Sequence, residues 1–371
     1  MNSAAVKYDG QNKYIRITDI DENSHQYIDS EPVSPDGNLE EKYIVKNNDI
    51  LFARTGASVG KTYLYNPKDG LLYFAGFLIR ANIKEPNNSY FIFNQTLTER
   101  YKKWVLNTSM RSGQPGINSQ EYGEYNIYYP SVLEQNKIAD FLSFVDQRIE
   151  KQRQLVESLK KYKRGLLSAI FERKIRFKDD NGNNYLVWST YKLDDICLYK
   201  NGEAFEQQVN NSGMYKLISL NSLDIDGNLK PAEKFVNSAN WYLEENDLIM
   251  VLSDVATGEF LGLCDVIPKN NEYVLNQRMG LLRLKTEDNI KYIRYFINAN
   301  QKYFKKHGQG SSQKNLSKDD ILNFEIKIPS INEQNKIVTI IESINKNILL
   351  NIEKISNLEK YKTGLLQQMF I

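Results

Sequence analysis

The stretch Pro130-Ser131-Val132-Leu133-Glu134-Gln135-Asn136-Lys137-Ile138 returns 199 residues later as Pro329-Ser330-Ile331-Asn332-Glu333-Gln334-Asn335-Lys336-Ile337. The correspondence continues without a gap to Phe171 and Phe370, with 16 identities over 42 positions. A duplication of this length predicts that one structural unit is used twice in the chain.

Each copy of the repeat has the pattern of a long helix. Ser131-x-x-Glu134 and Ser330-x-x-Glu333 have the spacing of a capping box. Apolar residues then follow at alternating steps of three and four, which is a heptad pattern and predicts two helices that pack on each other. We predict that the helix contacts come from ten apolar residues and two amides that fix the register: Leu142, Val145, Ile149, Gln152, Val156, Leu159, Ile341, Ile344, Ile348, Asn351, Ile355 and Leu358.

A longer and less similar segment precedes each helix. Short alternating apolar stretches bounded by Asn, Asp and Gly are typical of strands and hairpins, and residues 49–52 correspond to residues 247–250. An aromatic-rich helical stretch follows in each half. We therefore predict an α+β fold, in which a mixed α/β domain and a long helix occur twice, with a polar linker around 178–184.

Composition limits the class of protein. The chain has 371 residues, 41% of them apolar, which is enough for two domains with separate cores. No apolar run reaches the length of a membrane span, and the first residues do not resemble a signal peptide. We expect a cytoplasmic protein without membrane contact. The net charge of +2 does not by itself indicate a nucleic-acid partner.

One segment resembles a phosphate-binding loop, Gly56-Ala57-Ser58-Val59-Gly60-Lys61-Thr62. That loop requires four residues between its glycines, whereas this segment has three, and a strand pattern follows it instead of a helix. A nucleotide-binding enzyme that uses this loop is the alternative hypothesis. We favour a hairpin shaped by the glycines, with an exposed Lys61. We predict no catalytic residue and no metal ligand.

Several loops carry the side chains that contact DNA bases and phosphates, namely Arg, Lys, Asn, Gln, Ser and Thr. A coiled-coil scaffold without a nucleic-acid role is the remaining interpretation. The candidate DNA contacts are Arg54, Thr55, Lys61, Arg111, Ser112, Gln114, Asn276, Gln277, Arg278, Ser311, Ser312, Gln313, Lys314 and Asn315.

The chain resembles the specificity subunit of type I restriction-modification systems. The resemblance rests on the Pro-Ser-x-x-Glu-Gln helix starts at 130 and 329 and on the Lys-Tyr-Lys-x-Gly-Leu-Leu helix ends at 161 and 360. Two further segments support it: Gly-Ser-Ser-Gln-Lys-Asn-Leu at 310–316, and Leu-Asp-Asp-Ile at 193–196 after Trp188.

The resemblance implies two target recognition domains, separated by two helices that form an antiparallel coiled coil with a pseudo-twofold repeat. Each domain would recognise one half of a bipartite, asymmetric sequence in double-stranded DNA, and the helix length would set the gap. The chain would be non-catalytic. Its partners would be two methyltransferase subunits that carry S-adenosylmethionine, and restriction subunits that use ATP and Mg.

The predicted domains are recognition domain 1 at 1–129, spacer helix 1 at 130–172, a linker at 173–187, recognition domain 2 at 188–328 and spacer helix 2 at 329–371. The two halves differ at their start. In the second half, 27 residues from Trp188 to Met214 precede the strand at 215–218. In the first half, 13 residues precede the matching strand at 14–17. We expect that recognition domain 1 is truncated at its N-terminus or obtains its opening strand in another way.

Overall fold

The computed structural model describes residues 1–111, 113–205, 208–255 and 257–370. They form two compact units. Unit 1 comprises Met1–Gln154 and Asn351–Ile371, and unit 2 comprises Leu155–Leu350. Each unit therefore contains a globular part and half of each long helix. The units divide within both long helices, because each half-helix packs on the globular part of its own unit.

The globular part of unit 1 contains three small sheets. Strands β4, β5 and β7 form an antiparallel sheet in the order β5-β4-β7, β2 pairs with β6 in parallel, and β1 pairs with β3. The strands are β1 (Ala5–Lys7), β2 (Lys13–Ile15), β3 (Val33–Pro35), β4 (Asp49–Ala53), β5 (Thr62–Leu64), β6 (Leu72–Phe74) and β7 (Leu78–Asn82). The helices that follow are α1 (Ser89–Gln95), α2 (Glu99–Ser109), α3 (Ser119–Gly123) and the long α4 (Val132–Phe171).

Unit 2 repeats this arrangement and adds to it. Its strands are β8 (Ser189–Lys192), β9 (Cys197–Asn201), β10 (Tyr215–Ile218), β11 (Phe235–Val236), β12 (Leu248–Val251), β13 (Ser253–Val255), β14 (Cys264–Val266), β15 (Tyr273–Leu275), β16 (Met279–Leu284), β17 (Gln313–Asn315) and β18 (Glu325–Ile328). Its helices are α5 (Leu193–Ile196), α6 (Ile290–Ala299), α7 (Gln301–His307), α8 (Lys318–Leu322) and the long α9 (Ile331–Met369). Single-turn 3-10 helices lie at Ile17–Asp19, Glu41–Tyr43, Pro67–Asp69 and Leu220–Ser222.

The sheets of the two units correspond. The order β14-β12-β16 in unit 2 matches β5-β4-β7 in unit 1, and the parallel pair β10 and β15 matches β2 and β6. Unit 2 has a fourth strand in its main sheet, because β9 pairs with β16, and β8 pairs with β18. Within the described residues, unit 1 has no counterpart of these two opening strands.

The predicted pair of long helices is confirmed, and in each unit the two helix segments run antiparallel. In unit 1, Nζ of Lys362 lies 2.7 Å from Asp146, and the side-chain amide of Gln152 donates to that of Asn351. In unit 2, Nζ of Lys163 donates to Asn345 over 3.1 Å. All twelve predicted seam residues are buried or half-buried.

The apolar stripe of each half-helix also forms part of a domain core. In unit 1, Leu142 and Phe370 pack with Phe91 of α1. In unit 2, Ile170 and Ile341 pack with aromatic residues of α6. Leu142, Ile170 and Ile341 are all fully buried. Burial of each side chain contributes about 1.5–3 kcal/mol to the free energy of folding. The helices are therefore part of the cores and not simple connectors.

The repeated glutamine explains why the helix start is duplicated so closely. In unit 1, the buried Gln135 donates to the Pro130 carbonyl and accepts from the backbone N–H of Asn88, the residue that caps α1. In unit 2, Gln334 donates to the Pro329 carbonyl over 3.0 Å and accepts from the backbone N–H of Asn289, the residue that caps α6, over 2.8 Å. The motif therefore attaches α4 to the start of α1 and α9 to the start of α6, each within its own unit.

The predicted capping boxes are wrong in one half of their hydrogen-bond pattern. Ser131 accepts from the backbone N–H of Glu134 over 3.3 Å, but within the described residues the Glu134 side chain makes no return bond and is exposed. In the second copy the fully buried Glu333 accepts from the indole N–H of Trp188 over 3.0 Å, and its other oxygen has no partner. A tertiary contact has replaced the local one.

Candidate nucleic-acid interface

In unit 1, three loops meet beyond the end of β4. The backbone N–H of Arg54 donates to the carbonyl of Phe77 over 3.0 Å, and the N–H of Ile117 donates to the carbonyl of Arg54 over 2.9 Å. The N–H of Gly56 donates to Pro115 over 3.0 Å. The predicted residues Arg54, Thr55 and Gln114 are thereby brought to one surface.

Unit 2 has the same backbone arrangement. The N–H of Leu252 donates to the carbonyl of Arg278 over 3.0 Å, and the N–H of Leu316 donates to the carbonyl of Leu252 over 2.8 Å. Strand β13 then pairs with β17, with Asp254 opposite Lys314. Because the hydrogen bonds match, the loops of the two units occupy equivalent positions.

Two further bonds fix this equivalence residue by residue. In unit 1, Ala75 donates to the carbonyl of Ile15, and the N–H of Leu78 donates back to Ala75. In unit 2, Asn276 donates to the carbonyl of Ile218, and the N–H of Met279 donates back to Asn276. Phe77 therefore corresponds to Arg278, Arg54 to Leu252, and Gln114 to Gln313. We call the surface around Arg54, Phe77 and Gln114 loop surface 1, and the equivalent surface around Leu252, Arg278 and Gln313 loop surface 2.

Loop surface 2 encloses an open, polar cleft of about 490 Å³. It contains four of the predicted residues: Gln277, Arg278, Gln313 and Asn315. The predicted Ser311 and Ser312 are exposed on the preceding turn, and Asn276 and Lys314 are half-buried beside the cleft. The structure therefore brings together two loops that are about 35 residues apart in sequence.

Side-chain hydrogen bonds hold part of this cleft in place. The amide of Gln313 donates to the buried hydroxyl of Ser253, and also to Asn315 over 3.1 Å. Tyr199 donates to Asn201, and burial raises the pKa of Tyr199 to about 12, so its hydroxyl remains neutral. Fixed amides and hydroxyls of this kind can distinguish donors from acceptors on a base edge.

Sequence reasoning missed five polar residues of the cleft: Tyr199, Asn201, Ser253, Ser317 and Lys318. Tyr199 and Asn201 lie two apart on β9, so they share one face of that strand. Ser317 could have been noticed as the cap of α8, where its hydroxyl accepts from Asp320 over 3.1 Å. Nothing in the local sequence indicated that these elements meet.

Two predicted residues of unit 1 have other partners, and one cannot be placed. The prediction of an exposed, DNA-contacting Lys61 is wrong, because the side chain is buried. Its Nζ donates to the carbonyl of Ile20 over 3.0 Å and lies 2.5 Å from Glu22. Arg111 is exposed but forms an ion pair with Glu121. Ser112 lies outside the described residues.

The burial of Lys61 also removes the support for a nucleotide site at Gly56–Thr62. The loop is a hairpin, as favoured from the sequence, since β4 and β5 pair on either side of it. Gly60 has φ of 85°, and a Cβ there would lie 2.5 Å from Val105, so the hairpin itself requires this glycine.

Two general features accompany these surfaces. Across the part of the chain that the structure describes, no group of three or more His, Cys, Asp or Glu side chains is placed to hold a metal ion. In the same residues, every helix is too short or too polar to cross a membrane.

Comparison with known proteins gives a consistent result. The family model of the type I restriction modification DNA specificity domain matches residues 1–161 and 186–360. The type I restriction enzyme MjaVIII specificity subunit of Methanocaldococcus jannaschii is 22% identical over 338 residues, which cover 87% of this chain and 78% of that protein. The StySPI specificity subunit of Salmonella potsdam is 22% identical over 285 residues, which cover 73% and 61%.

Solved structures show a similar fold. A chain from a study of complex assembly and conformational transition of the type I R-M system has a TM-score of 0.59 at 15% identity, covering 99% of this chain and 94% of that chain. The type I restriction-modification S subunit from M. genitalium has a TM-score of 0.54 at 15% identity, covering 99% and 90%.

Proposed function

Because this chain belongs to the family of type I restriction modification DNA specificity subunits, we propose that it recognises a bipartite, asymmetric target in double-stranded DNA. Each loop surface contacts one half of the target. The chain itself is non-catalytic, and it positions methyltransferase and restriction subunits on the DNA.

The single observation that carries the proposal is the repeated backbone frame with different side chains. Loop surface 2 presents Gln277 and Arg278, whereas loop surface 1 has Gly76 and Phe77 at the matching positions, and both surfaces share a glutamine, Gln313 and Gln114. A constant frame keeps the loops in one geometry, while the different side chains recognise different bases. Two such surfaces in one chain suit a target whose halves are unequal.

The surface of the helices supports a role in assembly. Leu133, Phe141 and Phe144 of α4 are 68%, 42% and 63% exposed. Exposed apolar side chains grouped on one helix mark a protein-protein contact. We assign this surface to a methyltransferase subunit, and we assign S-adenosylmethionine, ATP and Mg to the partner subunits.

Methylation mapping of DNA from strains with and without the gene tests this function. We expect one bipartite motif to lose methylation when the gene is removed. Exchange of residues 188–328 for those of a related subunit should change one half of the motif only, and exchange of residues 1–129 should change the other half.

Two results would contradict the proposal. A scaffold without a nucleic-acid role predicts an unchanged methylation pattern after removal of the gene. A motif that stays fixed through both exchanges would show that the globular domains do not select the sequence.

A further inference from the structure

The two loop surfaces carry one arginine and one apolar residue at a pair of hydrogen-bonded positions, but in opposite order. In unit 1 the pair is Arg54 and Phe77, and in unit 2 it is Leu252 and Arg278. The two backbones are bonded identically, over 3.0 Å from N–H to carbonyl in each case. The exchange is therefore one of side-chain chemistry on a fixed frame.

The exposure of these side chains also differs. Phe77 is 62% exposed, whereas Leu252 is only 8% exposed and belongs to the core of unit 2. Arg54 and Arg278 are both exposed, and within the described residues neither guanidinium has a carboxylate partner. Phe77 and Arg278 are thus accessible at the same position of the two surfaces.

The neighbours of Phe77 strengthen the contrast. The residue before it is Gly76, where a Cβ would lie 1.8 Å from the side-chain oxygen of Asn2. Unit 2 has Gln277 at that place, beside the cleft. At this position, surface 1 offers an apolar ring preceded by a glycine, and surface 2 offers a guanidinium preceded by an amide.

These chemistries favour different bases. A guanidinium donates two hydrogen bonds to O6 and N7 of guanine, whereas an aromatic side chain makes an apolar contact with the 5-methyl group of thymine. Resting on the proposed function, we propose that Arg278 recognises a guanine in one half of the target and that Phe77 recognises the methyl group of a thymine in the other half.

Base analogues test the two contacts separately, using the full chain in complex with its methyltransferase subunits and the motif found by methylation mapping. The half-site assigned to unit 1 is the one that changes when residues 1–129 are exchanged. Each thymine of that half-site is replaced by deoxyuridine, which lacks only the methyl group. Each guanine of the other half-site is replaced by 7-deazaguanine, which lacks N7. Dissociation constants are measured by fluorescence anisotropy.

For Phe77 we expect one deoxyuridine position to weaken binding by the wild-type complex about three- to fivefold, the value of one buried methyl group. The Phe77→Ala complex should bind thymine and deoxyuridine at that position equally. Leu39→Ala, which removes an exposed apolar residue elsewhere in unit 1, is the matched control and should keep the wild-type response.

For Arg278 we expect one 7-deazaguanine position to weaken binding about five- to one-hundredfold. The Arg278→Ala complex should no longer distinguish guanine from its analogue there. Lys230→Ala, which removes an exposed cation of unit 2, should leave the discrimination intact.

The outcomes separate this inference from the proposed function. If removal of the gene abolishes no motif, the proposed function fails. If a bipartite motif is found but its first half contains no thymine, or if Phe77→Ala remains sensitive to deoxyuridine, the assignment of Phe77 is overturned while the function stands. If the other half contains no guanine, or if Arg278→Ala remains sensitive to 7-deazaguanine, the assignment of Arg278 is overturned while the function stands.

Discussion

Glu134 and Glu333 occupy the same position of the repeat, yet their surroundings are opposite. Glu134 is exposed at the start of α4, whereas Glu333 is fully buried against Trp188. Trp188 belongs to the opening segment of unit 2, which has no counterpart among the described residues of unit 1. The carboxylate at this position of the repeat is therefore exposed in unit 1 and buried in unit 2, where the additional segment contacts it.

This burial predicts a pH effect on stability. Desolvation raises the pKa of Glu333 above its ordinary value of 4.5, so the native state binds a proton more readily than the unfolded chain does. The resulting stabilisation is fully present below about pH 4.5 and is lost as the pH rises through the raised native-state pKa. Glu333→Gln keeps an oxygen for Trp188 and carries no charge.

Urea unfolding at about pH 4.5 and about pH 7 checks this prediction. The free energy of unfolding of Glu333→Gln should increase relative to that of the wild-type protein as the pH rises. Glu134→Gln, at the exposed equivalent position, is the matched control. A difference between wild type and Glu333→Gln that is the same at both pH values would show that the carboxylate is not desolvated in solution.

At the scale of elements, the long helices combine apolar packing with specific polar contacts. The bond between Gln152 and Asn351 joins α4 and α9 across their seam in unit 1, where Asn351 is 4% exposed. Nearby, Arg153 and Glu359 form an ion pair over 2.6 Å at the surface. The chain thus offers a buried and an exposed contact between the same two helices.

Double-mutant cycles with alanine should distinguish these contacts. We expect a coupling energy of about 0.5–1.5 kcal/mol for Gln152 and Asn351, and one that changes little with salt concentration. For Arg153 and Glu359 we expect about 0.2–1 kcal/mol, decreasing as salt is added because the side chains are exposed. A coupling energy for Gln152 and Asn351 that decreases with salt as much as that of Arg153 and Glu359 would contradict this prediction.

At the scale of the whole molecule, α4 and α9 run without interruption from one unit into the other. When a protein reads two half-sites, its geometry sets their spacing. If the helices act as that spacer, as the proposed function requires, their length controls the gap between the half-sites and leaves the recognised bases unchanged.

Inserting one heptad after Gln154 and another after Glu353 tests this role. Seven residues lengthen each helix by about 10 Å and keep the seam in phase. Methylation mapping should then find the same half-sites with a gap longer by up to about three base pairs. Insertion in α4 alone breaks the seam pairing and should lower stability. A methylated motif with an unchanged gap would contradict the spacer role.

The sequence by itself determined the repeat, the two long helices, the seam residues and the strands before them, because helical and strand periodicity are local properties. It also identified most of the loops that form the two surfaces. Only the tertiary structure decided which loops meet, since hydrogen bonds such as those from Arg54 to Phe77 and from Ile117 to Arg54 join distant segments. Exposure was decided in the same way: Lys61 and Glu333 lie in polar sequences, yet neighbours far away in the chain bury both.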